Sequence, residues 1–470
     1  MSFNSRKLLF GSSNLNDPYW NNVSLLLHGD GIGATPNGQQ NNSFLDSSTN
    51  NFSITRTGVP TQGSFSPYAL NGVAYSPSIH GGSSYFSSGN LDKLTLPSTA
   101  VGSALDYGTG NFTIECWYNF IQVGPNGLGF IISQTVSGNN NLLFAVGSNR
   151  DVGIWLGNSN LGTSAVNSIP LNTWSHIALV RSGTSVQVYV NGVSVLTRTS
   201  SASLGGGMLP CINGYGHASG YGNICYISNM RIVKGLAVYT SNFTPPTSPV
   251  TLTSNGGATP STSPTSGQVS LLCNFTNGGI FDNTKKNVLT TAGNARVSTS
   301  VVKYGTGAMY FDGTGDYLKI PSSSNFAFGT GDFTVEFWMY PTANVPWLSL
   351  CGTQPAAITD SRGWNITVTN GSPEIAFWSD AKFIPAAITL NQWNYVSVTR
   401  SGTTLRMFIN GTIANSTTNN QNFTFDQLGV GCTGVGIQPF NGYIDDLRIT
   451  KGVARYTSAF TPPTRAFPNK

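Results

Sequence analysis

The sequence predicts an all-β protein built from two tandem β-sandwiches, and three observations support this prediction. First, only 9% of the 470 residues are charged and 11% are aromatic, while 55 are glycine. Short apolar runs separated by polar, glycine-containing turns are typical of all-β domains. Second, no segment shows a sustained apolar period of 3.6 residues, as an amphipathic helix would. Third, the second half of the chain repeats the first.

The clearest repeat is a line of seventeen residues. RIVKGLAVYTSNFTPPT occupies 231–247 and RITKGVARYTSAFTPPT occupies 448–464, with thirteen identical positions. Further matches join VSLLLHGDG at 23–31 to VSLLCNFTNGG at 269–279, and YGTGNFTIECW at 107–117 to FGTGDFTVEFW at 328–338. We interpret RIVKG and RITKG as the end of a strand, and FTPPT as an exit where two prolines remove backbone donors.

These matches divide the chain into four parts. Residues 1–20 have no repeat mate and form an N-terminal arm. The first sandwich is predicted at 21–247 and the second at 269–470, because one copy has the length of one large β-sandwich. The segment 248–268 is rich in Ser, Thr, Pro and Gly, a composition typical of a linker.

Alternation defines the strands within each copy. In NFTIECWYNF, Phe112, Ile114 and Cys116 face one side, while Glu115 and Trp117 face the other. The six cysteines form no C-x-x-C pair, so zinc is disfavoured and we expect buried free thiols made in a reducing cytoplasm.

Charge and hydrophobicity exclude several partners. The net charge of +5 is small for this length and no Lys/Arg cluster occurs, so we expect no nucleic-acid partner. No apolar run approaches a membrane span, and three apolar residues after Arg6 and Lys7 are too few for a signal peptide.

With these motifs, each copy resembles the laminin-G-like, concanavalin-A-like jelly-roll domain, over most of residues 21–470. The segment DPYWNNVSLLLHGDG at 17–31 and the KG-x-A-x-YT…FTPPT ending resemble copies found on structural proteins of tailed bacteriophages. The resemblance implies a jelly-roll fold used in adhesion, carbohydrate binding and virion decoration, and in some glycoside hydrolases. The fold therefore leaves the function open.

The acidic residues argue against hydrolysis. Glycosidases place two carboxylates across the bond, and hydrolases of this fold commonly carry an E-x-D-x-E string, which is absent. The only glutamates are Glu115, Glu336 and Glu374, and no second acid stands at i+2 or i+4. His176 has Tyr395 as its repeat mate, which favours packing over catalysis. We expect no enzyme activity and no catalytic residue.

No cofactor is expected, although calcium would suit loop aspartates of laminin-G-like domains. Candidate ligands are the matched turn residues Asp46, Asp92, Asp282 and Asp316. The alternative is that each aspartate hydrogen-bonds the backbone of its own turn.

Aromatic residues in loop-like segments are candidates for ligand binding. Trp347 and Trp364 have no repeat mate, and Tyr215 and Tyr221 lie in the stretch INGYGHASGYGN. An exposed aromatic ring can stack on the apolar face of a sugar. The alternative is that these rings fill loop cores. Tryptophans with mates, such as Trp155 and Trp378, are interpreted as framework.

The N-terminal arm is a candidate anchor. We expect it to order on a partner surface, unless it frays or folds back on the first sandwich. Its apolar residues are Phe3, Leu8, Leu9, Phe10, Tyr19 and Trp20.

Together these observations favour a non-catalytic virion protein of a tailed phage, made in the host cytoplasm and displayed as capsid decoration or a tail or neck fibre. Its partners would be other virion proteins, through the arm, and a host-surface glycan; exposed sheet edges would also permit homo-oligomers. The alternatives are a bacterial cell-surface adhesin or lectin, and a glycoside hydrolase.

Overall fold

The computed structural model describes residues 17–28, 44–63, 65–68, 81–98, 103–136, 139–205, 208–274, 280, 289–343, 347–354, 361–369, 373–379 and 382–468. Within these ranges it contains thirty β-strands, numbered here along the chain, and two 3₁₀ turns at Trp20–Asn22 and Ser266–Gln268. No α-helix occurs among the described residues. The strands form four sheets, which confirms the predicted all-β fold with two sandwiches.

The first sandwich packs a sheet of eight strands against a sheet of seven. The eight are β3 (Thr61–Gly63), β4 (Ser83–Phe86), β6 (Phe112–Gln122), β11 (Trp174–Ser182), β12 (Ser185–Val190), β13 (Val193–Thr199), β15 (Ile224–Lys234) and β16 (Val269–Cys273). The seven are β2 (Thr55–Thr57), β5 (Lys93–Thr95), β7 (Leu128–Val136), β8 (Asn139–Gly147), β9 (Val152–Leu156), β10 (Ser159–Thr163) and β14 (Leu209–Ile212). Their orders are β13-β12-β11-β6-β15-β4-β3, with β16 also on β15, and β10-β9-β8-β7-β14-β5-β2.

The second sandwich repeats this arrangement. Its eight-stranded sheet contains β1 (Val23–Leu27), β18 (Arg296–Ser298), β19 (Ala308–Asp312), β21 (Phe333–Pro341), β26 (Asn394–Ser401), β27 (Thr404–Ile409), β28 (Thr412–Thr418) and β30 (Asn441–Lys451). Its seven-stranded sheet contains β17 (Thr290–Ala292), β20 (Tyr317–Ile320), β22 (Leu348–Gly352), β23 (Asn365–Val368), β24 (Glu374–Ser379), β25 (Lys382–Ala387) and β29 (Leu428–Val430). The orders are β18-β19-β30-β21-β26-β27-β28, with β1 also on β30, and β17-β20-β29-β22-β23-β24-β25.

Alternation along β6 is as predicted. Phe112, Ile114 and Cys116 lie in the core between the two sheets of the first sandwich. Glu115, between them, points to the outer face of the eight-stranded sheet, yet it is also buried. The cover over that face comes from the repeated tail, which contributes Tyr239 to a separate apolar cluster on the sheet.

The opening strands of the two repeats lie where the sequence did not place them. The predicted boundaries put Val23–Leu27 in the first sandwich, whereas β1 pairs antiparallel with β30 of the second, with Leu26 opposite Arg448. Likewise β16, predicted to open the second sandwich, pairs with β15 of the first. The second sandwich is therefore closed by the opening strand of the first repeat, and the first sandwich by that of the second. VSLLL and VSLLC have the same apolar pattern, so alternation alone cannot choose between two similar sheet edges.

The segment 248–268 is not a free spacer. Val250 and Ala258 are buried on the outer face of the first sandwich, and Thr244 and Thr259 form a β-bridge. The polar composition that predicted a linker is compatible with packing because a few apolar residues anchor the segment.

All six cysteines are buried and free, which agrees with the expected free thiols. The cysteines at 116, 225 and 273 lie in the core of the first sandwich and Cys351 in that of the second. Across the described part of the chain, no helix has the length and apolarity required to cross a membrane.

Candidate functional site

The repeated line builds a buried ion pair in the first sandwich. Arg231 on β15 donates from Nε to Oε1 of Glu115 on β6 at 2.8 Å. The other carboxylate oxygen accepts from the Tyr239 hydroxyl at 2.6 Å and lies 3.2 Å from His176 Nε2. Arg231 Nη2 also donates to Asn255 Oδ1 at 2.7 Å. Burial by itself would raise the pKa of Glu115, but the charge of Arg231 and the hydrogen bonds lower it to about 2.

The second sandwich has the same pair with different neighbours. Arg448 donates from Nε to Glu336 Oε1 at 2.8 Å, and the hydroxyls of Tyr395 and Tyr456 donate to Glu336 Oε2. Tyr395 thus occupies the place of His176, as the repeat predicts. The further acceptor for the guanidinium is Asp17, whose Oδ2 lies 2.9 Å from Arg448 Nη1.

The tail seals these pairs from solvent. Tyr239 stacks on Phe243 with ring centroids 3.7 Å apart, and Tyr456 stacks on Phe460 at 3.6 Å. Both glutamate side chains have 1% exposure or less. A carboxylate buried under a stacked aromatic cover stabilises the sheet and has no surface on which to meet a substrate, so the repeated line is a structural element.

The outer face of the seven-stranded sheet in the first sandwich carries a half-exposed aromatic cluster. Trp155 on β9 and Phe130 on β7 point away from the core and cluster with Tyr215 and Tyr221 from the loop between β14 and β15. The Phe130 ring lies 5.6 Å from that of Tyr215 and 5.5 Å from that of Tyr221. Trp155, Tyr215 and Tyr221 are each half-buried, whereas Phe130 is buried against the two tyrosines. We call these four residues the first aromatic face.

Polar groups border this face. Asn160 on β10 is exposed and lies opposite Trp155 in the strand register. His217 is exposed, with its ring centroid 6.2 Å from that of Tyr215. Lys93 donates to the Tyr215 carbonyl at 2.9 Å and so holds the loop on the sheet. The arrangement combines ring faces for apolar contact with amide and imidazole groups that can hydrogen-bond hydroxyls.

The corresponding surface of the second sandwich carries Trp347 and Trp378. Their rings meet edge-on with centroids 5.7 Å apart. Trp347 is 37% exposed and has a backbone φ of +66°, a conformation that bulky residues rarely adopt. Its amide donates to the Val368 carbonyl at 2.8 Å. We call this pair the second aromatic face.

Trp364 is not a surface residue, and its assignment to ligand binding is wrong. The side chain is 0% exposed and stacks between Phe328, at 5.3 Å, and Phe377, at 6.3 Å, in the core of the second sandwich. The lack of a repeat mate pointed to a specialised role, but the tryptophan fills space in the core of one sandwich.

The sequence interpretation of Trp155 and Trp378 as framework missed their position. Both belong to strands whose other residues alternate inward, such as Ile154 and Phe377. The alternation in VGIWL did indicate this position. Val152 and Ile154 face the core, so Trp155, one residue further along the strand, faces outward.

Another half-buried aromatic set lies on the outer face of the eight-stranded sheets. In the first sandwich Tyr226 stacks on Tyr85 at 4.6 Å and lies 6.2 Å from Trp174. In the second, Tyr443 lies 4.9 Å from Tyr310. These half-buried rings lie on the other sheet of each sandwich. They therefore provide a control for substitutions in the first aromatic face.

The predicted calcium residues hold turns. The Asp92 carboxylate accepts from the amides of Val59 and Ser87, each at 2.7 Å. Asp46 accepts from the amide of Ser48, in its own turn, at 2.8 Å, and Asp316 accepts from the amide of Asp312 at 3.1 Å. These contacts match the turn-anchoring alternative, and Asp282 lies outside the described residues. Among the described residues no group of three or more His, Cys, Asp or Glu side chains is placed to hold a metal ion.

The arm residues that are described contact the chain itself. Trp20 is half-buried and packs with Val23, Leu26 and Trp338 of the second sandwich, and Tyr19 is 42% exposed. The described end of the arm, residues 17–20, therefore packs on the second sandwich instead of the first. The other predicted anchor residues lie outside the described residues: Phe3, Leu8, Leu9 and Phe10.

Three solved structures resemble this chain at a low level of structural similarity. Domain 4 of an extracellular arabinanase from Geobacillus stearothermophilus is 18% identical with a TM-score of 0.30, covering 37% of this chain and 87% of that one. The mouse laminin alpha1 chain, domains LG4-5, is 13% identical with a TM-score of 0.28, covering 84% and 94%. A carbohydrate-binding module of the Ruminococcus gnavus IT-sialidase is 13% identical with a TM-score of 0.23, covering 27% and 79%. Values this low support no statement about ligand or activity.

Sequence comparison is more informative. No curated protein sequence matches the chain. One family model, described as the concanavalin A-like lectin/glucanases superfamily, matches residues 81–232 and 312–455. These two regions are the equivalent parts of the two copies, and together they exceed half of the chain. The protein is therefore a member of the concanavalin A-like lectin/glucanases superfamily, with two copies of the domain.

Proposed function

We propose that this protein is a non-catalytic carbohydrate-binding component of a tailed-phage virion, displayed on the particle surface, and that it binds a host-surface glycan. The observation that carries the glycan part is the first aromatic face. Three of its four rings, from a strand and a loop, are partly exposed on one side of the sandwich. Partly exposed rings with bordering polar groups are what a sugar ring requires.

The second aromatic face supplies a smaller platform with the same chemistry. Two faces on one chain would raise the apparent affinity for a polymeric glycan, because the second contact forms within the same complex. Display of many chains on one particle would add to this effect.

The glutamates support the non-catalytic part of the proposal. Glu115 and Glu336 are each paired with an arginine and sealed under a tail. Glu374 is half-buried, and its Oε1 accepts from the Thr369 hydroxyl at 2.6 Å. Hydrolysis by two glutamate carboxylates would need a second such group facing the same cavity.

The virion part of the proposal rests on sequence patterns, namely DPYWNNVSLLLHGDG at 17–31 and the two FTPPT tails. We propose that residues 1–16 attach the chain to other virion proteins. In this arrangement the sandwiches face outward and meet the host first.

Glycan binding is tested by changing the first aromatic face. The probe is a microarray of bacterial lipopolysaccharide and capsular fragments, followed by titration of the strongest hit. Trp155→Ala and Tyr221→Ala should each weaken binding at least tenfold, which corresponds to about 1.4 kcal/mol. Trp155→Phe should keep most of it, because a ring remains.

The matched control is Tyr226→Ala, which removes a half-buried ring from the other sheet of the same sandwich. If Tyr226→Ala abolished binding and Trp155→Ala did not, the binding face would be wrong. Release of reducing sugar from the bound polysaccharide would overturn the non-catalytic proposal.

The particle role is tested by immunogold electron microscopy with antibody to the second sandwich. Label on the head, tail or neck of purified particles is the expected result. Label confined to a bacterial surface would favour the adhesin alternative instead.

A further inference from the structure

The segment 17–28, called here the opening segment, completes the second sandwich, although more than 400 residues separate β1 from its partner β30 along the sequence. Leu25 and Leu27 enter the core between the two sheets. Leu26 and Val23 pack on the outer face with Trp338. The strand thus supplies apolar side chains to both faces of its sheet, and β30 is the one described strand with which β1 pairs.

Charged groups fix the position of the opening segment. Asp17 accepts from Arg448 at 2.9 Å and from Arg455 Nη2 at 2.8 Å. At the other end of the strand, His28 Nδ1 contacts Asp446 Oδ1. The second sandwich therefore presents a specific acceptor site, with an apolar slot between two charged ends.

The first sandwich shows the general rule behind this site. Its acceptor edge on β15 is filled by β16, in which Leu271 and Cys273 enter the core while Val269 and Leu272 lie on the outer face. By sequence β16 opens the following repeat. Each repeat thus accepts the opening strand of the other repeat and not its own.

This rule does not require that the opening strand come from the same chain. The opening segment is joined to Phe44 of the first sandwich through residues 29–43, a length that spans up to about 50 Å when extended. The opening segment of another copy carries the same leucines, Asp17 and His28, and so makes identical contacts.

We propose that the acceptor site on β30 also takes the opening segment of a second copy of this chain, so that chains join head to tail by strand exchange. The exchanged and closed forms have the same contacts, so concentration decides between them. A tethered strand has an effective concentration on the order of millimolar, and chains crowded on one surface would approach it. This inference does not depend on glycan binding, since it uses none of the aromatic-face residues.

The test uses cysteines at paired positions of the full-length chain. Val23 lies opposite Thr450 in the register. The variants Val23→Cys and Thr450→Cys are mixed in equal amounts, unfolded, refolded together over a series of concentrations up to about 1 mM, and oxidised. A disulfide-linked dimer that joins the two variants, confirmed by peptide mass mapping, is expected, with a yield that rises with concentration.

The matched control uses the equivalent pair in the first sandwich, where Val269 lies opposite Val233. Mixing Val269→Cys with Val233→Cys should give at least tenfold less dimer, because the packed segment 248–268 ties β16 to its own sandwich. The double variant Val23→Cys/Thr450→Cys should form an internal disulfide in the monomer.

Failure of the mixed variants to form a dimer at any concentration, while the double variant closes internally, would overturn the proposal. Failure of the double variant to close would overturn the docking on which it rests. If either position prevents folding, Leu27 and Leu447, which are also paired in the register, replace them. Loss of glycan binding in the earlier experiment would leave these outcomes unchanged.

Discussion

The two sandwiches share a buried glutamate–arginine pair but surround it with different residues. Each buries a glutamate and an arginine under its tail, but the further acceptor is the neutral Asn255 in the first and the charged Asp17 in the second. The second also adds Arg455, where the first has Val238, so its network contains two opposite pairs of charges. The comparison teaches that each buried arginine requires a second acceptor for its guanidinium. Whether that acceptor is neutral or charged depends on the other charges buried nearby.

The source of that acceptor also differs. Asn255 comes from the segment directly after the first tail, whereas Asp17 comes from the opposite end of the chain. The first sandwich is therefore contiguous in sequence, and the second depends on a long-range contact. This difference predicts that the two sandwiches respond differently to changes in the network.

The largest difference is expected from removing each buried carboxylate. Glu115→Gln leaves Arg231 with neutral acceptors only, and an unpaired buried charge costs about 3–5 kcal/mol. Glu336→Gln leaves Arg448 paired with Asp17, so we expect a smaller loss of about 2 kcal/mol. The measurement is denaturant unfolding followed by pulsed thiol labelling with mass spectrometry. Cys116, Cys225 and Cys273 report the first sandwich and Cys351 the second. Equal losses would show that Asp17 does not compensate.

Acid should also destabilise the first sandwich, because it protonates Glu115. The pKa of Glu115 falls from 4.5 to about 2 on folding, so its stabilisation is complete above pH 4.5 and is lost as the pH falls toward 2. The loss is roughly 3 kcal/mol. Thiol labelling of Cys116 should accelerate over this interval in the native chain, and this part of the acceleration should be absent in Glu115→Gln. The same slope in both chains would assign the acid sensitivity to other groups.

The smallest difference between the two sandwiches is expected from removing Asp17 and Asn255, the further acceptors of the two arginines. Asp17→Ala removes hydrogen bonds from two arginines and should cost the second sandwich about 2–3 kcal/mol. Asn255→Ala should cost the first about 1 kcal/mol, because Arg231 Nη1 still donates to the Thr251 carbonyl at 2.9 Å. Labelling of Cys351 and Cys116 separates the two effects. A loss in the first sandwich on Asp17→Ala would show that the sandwiches do not unfold independently.

The pKa of Asp17 adds a qualitative expectation to the same comparison. Burial would raise it, but the hydrogen bond and charge of Arg455, together with Arg448, lower it below the ordinary value of 3.8. Stabilisation by Asp17 is therefore complete above about pH 4 and is lost in stronger acid, which should weaken the docking of the opening segment.

Much of the architecture follows from local pattern. The alternation in NFTIECWYNF is enough to place Phe112 inward and Glu115 outward, because a strand has a period of two. The repeat likewise predicts that His176 and Tyr395 occupy one position. Only half of the first aromatic face is predictable in this way. The loop composition identifies Tyr215 and Tyr221 as candidates, whereas it leaves Trp155 as framework, because sequence cannot tell a strand face that is covered from one that is open.

By itself the sequence determined the fold class, the number of sandwiches, and the inward and outward residues of strands such as β6. Tertiary structure alone decided three things: that VSLLL closes the second sandwich and VSLLC the first, that Trp364 lies in the core, and that the repeated line covers an ion pair. The physical reason is the same in each case. Local periodicity states which side of a strand is apolar, whereas the identity of the surface that covers it depends on contacts between residues far apart in the chain.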